Sequence, residues 1–189
     1  AEKGKQLAIA EDSLDAVKQQ MKGLGEEQGQ VDKEFRDANT EAEDNLSTNM
    51  QGLDDRIDET ESEYDKMLRE WRASFPDDAK GWDAITSNGI KGGEHDAEYG
   101  LYSQRGDLAP RSREFAEALV KLRAGAQGLE AQKPEVEKAA EQSKERAEQV
   151  HEELSAQIQA EEDALQPVLE EKSEQLVKTV EEYKEVVEQ

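Results

Sequence analysis

The residues of this chain best suited to proton transfer or metal ligation are its two histidines, His95 and His151. A zinc centre needs three or four histidine, cysteine or carboxylate ligands in set geometry, and a nucleophilic dyad needs a histidine beside its nucleophile. The chain has no cysteine and the histidines stand far apart, so neither pattern occurs. Acidic pairs such as Asp54 and Asp55, Asp77 and Asp78, or Glu161 and Glu162 could do general acid work only if one member were desolvated. On a thin exposed helix both stay solvated. No stretch has the carboxylate spacing of a calcium loop, and Gly89, Gly92 and Gly93 lack the pattern of a phosphate-binding loop. The expectation is a non-enzyme with no catalytic residue, no metal and no cofactor, and with both histidines as solvated surface groups. Trp82, Tyr99, Tyr102 and Arg105 are instead the residue types enriched where proteins bind one another, and equally the material of a small local core. Asn45, in Asn45-Leu46-Ser47, heads a glycosylation sequon.

Two long elements must position these groups. From Leu7 to Trp71, apolar or small residues return every three or four positions: Leu7, Ala10, Leu14, Val17, Met21 and Leu24 begin the series, and Leu53, Ile57, Tyr64 and Met67 continue it. Such spacing lines one narrow stripe of an α-helix, the seam of a coiled coil. The helix predicted over 3–73 would be on the order of 100 Å long. Gly23, Gly25 and Gly29 weaken it, and a break there into a third helix is left open. It stops where Phe75 meets Pro76, because proline has no N–H to donate and biases its predecessor away from helix.

Residues 74–112 hold six of the thirteen glycines, two of the four prolines and four of the nine aromatics, with no heptad register. They read as a small loop-rich head, with a helical turn from Asp77 to Trp82 and another from His95 to Tyr102. Ser112 then looks like the N-cap of a second long helix over 112–189. Its seam runs through Phe115, Leu119, Leu122, Ala126, Leu129, Lys133, Val136, Ala140, Ser143, Ala147, Val150, Leu154 and Ile158, with His151 outside it. Gly125, Gly128 and Pro134 predict a bend or short break near 125–134, and Pro167 a kink.

Each stripe slips by one residue, between Ala42 and Met50 and between Val150 and Ile158. If the slips face each other in an antiparallel hairpin, facing position numbers add to roughly 200, and the second helix overshoots the first by roughly 25 Å at the head. The expected fold is therefore all-α: one elongated domain, 1–189, an antiparallel coiled-coil helical hairpin or bundle with a head between its long helices.

A net charge of -23 repels nucleic acid and anionic lipid, and no basic cluster reverses it locally. No apolar run is long enough to span a bilayer. A two-helix seam buries few side chains completely, so self-association or a further helical layer would supply missing burial.

The composition of 32 glutamates and 22 alanines, exemplified by Glu135 to Glu153 and Glu170 to Glu188, joins a helix, head, helix plan. In both respects the chain resembles the glutamic acid/alanine-rich surface proteins of African trypanosomes. In layout it also resembles the N-terminal domains of variant surface glycoproteins, though it lacks their cysteine pairs. The resemblance implies a coat protein on the outer face of the plasma membrane. A C-terminal lipid (GPI) anchor, outside these residues, would tether it at the pole bearing both termini, with the head outward and self-association within the coat. A cytoplasmic coiled-coil spacer or tether, and a helical surface receptor for a host or vector macromolecule, are the alternatives.

Overall fold

The computed structural model describes residues 1–85, 102 and 105–189, without the side chains of 83–85. The fold is all-α: α1 runs Glu2–Ser74, α2 Pro76–Ile85 and α3 Pro110–Glu188, with no strand among the described residues. The first long helix stops where the sequence says it should. Phe75 N–H closes α1 on the Trp71 carbonyl at 2.7 Å, while the Phe75 carbonyl receives Ala79 N–H at 3.0 Å and opens α2. One residue thus ends one helix and caps the next, because Pro76 can begin a helix but cannot continue one. The second turn expected in the head, from His95, lies outside the described residues apart from Tyr102.

One open question closes and two local expectations are corrected. α1 passes through Gly23, Gly25 and Gly29 without interruption. Each glycine costs up to about 1 kcal/mol, but Val17 and Leu24 are buried on the seam nearby and hold the helix. Likewise α3 continues through 125–134 and through Pro167 with no break. Leu129 is buried on one side of Pro134 and Val136 packs against the same cluster on the other, so tertiary contact outweighs the lost backbone bond. Ser112 is not the cap of the second long helix. Pro110 is the first residue of α3, Arg113 N–H bonds the Ala109 carbonyl at 2.9 Å, and Ser112 lies inside the first turn.

The described residues form two compact units, 1–42 with 142–189, and 43–141. In the first, α1 and α3 pair antiparallel and bring the two chain ends side by side. Lys3 Nζ meets Glu182 Oε2 at 3.0 Å, and Gly4 lies against the Tyr183 ring. Further along, Gln28 bonds Ser155 and Phe35 packs on His151. The buried apolar residues of this unit are only Leu14, Val17, Leu24, Ala42 and Ile158.

The second unit is better filled. Leu53, Ile57 and Leu129 form one buried cluster, with Met50 and Val136 packed against it, and Lys133 reaches Asp54 at 2.7 Å. A larger core gathers Tyr64, Leu68, Trp71, Trp82, Leu119 and their neighbours, where α2 closes over α1 and α3.

The helix register differs from the expected one. Facing pairs such as Lys3 with Glu182, Asp32 with His151, Asp54 with Lys133 and Trp71 with Ser112 have position numbers adding to between 183 and 187, not roughly 200. Trp71 accordingly meets Ser112 and Phe115 instead of Leu129, and the overshoot at the head is absent. The cause is the slip in α3. Half-buried Lys144 and His151 hold seam positions, whereas Ser143 and Val150 are exposed. The extra residue of the α3 stripe therefore falls before Lys144 and not after Val150.

Candidate functional site

In the first unit, the three-four spacing of α3 places Ala147, His151 and Leu154 toward α1, where Val31, Phe35 and Ala38 come to meet them. Because Ser143, Arg146 and Val150 flank that stripe without being covered, an open groove of about 330 Å³ remains along the junction. Its other rim is Glu34. Along its length the groove is walled mainly by aliphatic and aromatic carbon.

His151 lies on this groove, and its placement corrects the expectation of a solvated surface histidine. Its side chain is 28% exposed, Nε2 stands 2.8 Å from Asp32 Oδ1, and its ring lies 4.6 Å from the Phe35 centroid. Gln28 Nε2 donates to the same Asp32 oxygen at 2.9 Å and also to Ser155 Oγ at 3.0 Å. Hydrogen bonds from His151, then from Gln28, hold the Asp32 carboxyl below its usual range. A histidine oriented by a carboxylate is two parts of a catalytic triad, but the nearby hydroxyl, Ser155, is engaged by Gln28. The arrangement stitches two helices together and fixes the imidazole. No group of three or more potential metal ligands occurs among the described residues.

The second unit holds the described head aromatics, and Trp82 and Tyr102 face inward. Trp82 is completely buried and Tyr102 is 6% exposed, so both serve the core. Trp71, Trp82 and Tyr102 pack edge to face with centroids 5.6 to 6.2 Å apart, and Phe115 stacks on Trp71 at 6.5 Å. Each indole finds an acceptor: Trp71 Nε1 donates to Ser112 Oγ at 2.7 Å and Trp82 Nε1 to Tyr64 Oη at 2.9 Å. The Tyr102 hydroxyl donates to the Asp78 carbonyl, and burial pushes its phenol up. Of the three recognition candidates among the described residues, Arg105 is the exposed one, chelated by Asp107 and lying 4.8 Å above the Tyr102 ring centroid. Tyr99 and His95 lie outside the described residues. Asn45 is exposed on α1, accessible in the folded chain.

Sequence reasoning missed Ser112 and Tyr64 as indole acceptors, and missed the Asp32–His151 pair. Comparison with models of known protein families, with curated proteins and with solved structures returned no match. No described helix is long and apolar enough to cross a membrane.

Proposed function

We propose that this chain is a non-enzymatic coat protein of a cell surface, held by a C-terminal lipid anchor at the end where its termini meet. The observation that carries the reading is the pairing of the chain ends through Lys3 and Glu182. Chain ends that lie side by side can be tethered at one point without strain. The net charge of -23 supports the role by discouraging lateral adhesion between crowded copies. Long helices with few loops also offer proteases little purchase.

The test is to label intact cells that make the protein with a membrane-impermeant amine reagent, then treat them with a phospholipase specific for glycosylphosphatidylinositol. Labelling before permeabilisation and release by the phospholipase are the expected results. Labelling only after permeabilisation would overturn the proposal in favour of an internal spacer.

A further inference from the structure

The unit built from residues 1–42 and 142–189 is under-buried. It contributes five of the nineteen buried core hydrophobics among the described residues, yet carries all six of the exposed large ones: Ile9, Val150, Val177, Tyr183, Val186 and Val187. α3 shows why. Two stripes overlap on it here, one through Lys144, Ala147, His151 and Leu154 turned toward α1, the other through Ser143 and Val150 beside it. A two-stranded seam leaves the flank beside it polar, yet Val150 stands exposed there, next to Ala147 and Leu154 of the seam. In this unit α3 has one neighbour, and the second stripe lines the open groove.

We propose that a second copy of this chain occupies the groove, so that two such units associate about a two-fold axis as a four-helix bundle. The rim charges select that occupant. Glu34 stands on the α1 side and Arg146 on the α3 side. Arg146 has no ion-pair partner among the described residues, and Glu34 accepts only from Gln30 Nε2, at 3.0 Å. A two-fold contact repeats every pairing in reverse, so a patch with opposite charges on its two rims complements itself. Arg146 of each copy then faces Glu34 of the other while Val150, 54% exposed in the single chain, enters the apolar floor. An acidic protein of this charge rejects most contacts with its own kind, and the one retained is where opposite charges match. The inference stands independently of the coat-protein reading.

The experiment is sedimentation equilibrium of the full chain with Arg146→Glu, Glu34→Arg and Val150→Glu variants. Wild type should dimerise reversibly, and each variant should weaken the dimer at least about tenfold. All three positions are exposed, so the helical signal and melting of dilute samples should be unchanged, which separates lost association from lost folding. The decisive arm mixes R146E with E34R. One partner then carries two rim glutamates and the other two rim arginines, so the mixture should form a heterodimer tighter than either parent's weakened homodimer. A wild type that stays monomeric, or a mixture no tighter than its parents, overturns the proposal.

Discussion

Ser112→Ala isolates one buried hydrogen bond whose donor cannot find another partner. Ser112 and Trp71 are both at 0% exposure, and the indole N–H sits 2.7 Å from the serine oxygen. Removing the hydroxyl leaves that N–H buried and unsatisfied, which costs about 1 to 3 kcal/mol. Alanine returns up to about 0.5 kcal/mol through helix propensity, leaving a net loss of about 1 to 2 kcal/mol. For a chain of this size that is a fall in midpoint of about 2 to 8 °C. Both tryptophans lie in the 43–141 unit, so indole fluorescence during urea unfolding reports that unit alone. The control is Trp71→Phe, which removes the donor and keeps an aromatic ring, with Trp82 still available as reporter. In that background Ser112→Ala should be neutral within about 0.5 kcal/mol, a coupling of about 1 to 2 kcal/mol. Equal losses in both backgrounds would refute the hydrogen-bond account and point to packing instead.

Gly25→Ala and Gly29→Ala should each stabilise the 1–42/142–189 unit by about 0.5 to 1 kcal/mol, read by thermal circular dichroism, because nothing lies within 4 Å of an added Cβ in this helical stretch. Gly81→Ala should do the opposite, by about 1 to 3 kcal/mol in urea unfolding, because its Cβ would press on the Tyr102 hydroxyl and ring; with Tyr102→Ala present the same change should become stabilising. Acid should weaken the Asp32–His151 link in a definite direction. The folded carboxyl titrates below its unfolded value, so its contribution is present above that value and lost as pH falls through the folded one. Asp32→Asn should therefore flatten the fall in melting temperature below about pH 5.

Much of the architecture was legible because its causes are local. The stripe from Leu7 to Trp71 specified a helix whatever its partner, and Phe75-Pro76 specified its end. The register was harder because the signal for it is non-local. Val150 is the more apolar residue and His151 the more polar, so hydrophobicity alone assigns the seam to Val150. The structure chooses His151 because Asp32 and Phe35 wait opposite it, a preference visible only once the helices are paired. That one-residue choice moved the slip by two heptads and displaced every facing pair. Ser112 misled for a similar reason: a serine after Pro-Arg near a helix start reads as a cap, and nothing within α3 announces that an indole forty-one positions earlier needs its oxygen. Trp82 and Tyr102 do join a local core, but which indole would meet which hydroxyl depends on how α2 folds back.

The pairing of α1 with α3 at the observed register is the claim on which the rest depends, and the absence of native cysteine makes it directly measurable. Gln28 and Ser155 touch side chain to side chain at 3.0 Å. A Gln28→Cys, Ser155→Cys double variant should form an intramolecular disulfide under mild oxidation, at a yield independent of dilution. The account predicts no such bond for Gln28→Cys with Lys172→Cys, the partner that the sequence-derived register assigns. Cross-linking to position 172, or disulfides that form only between chains, would contradict it.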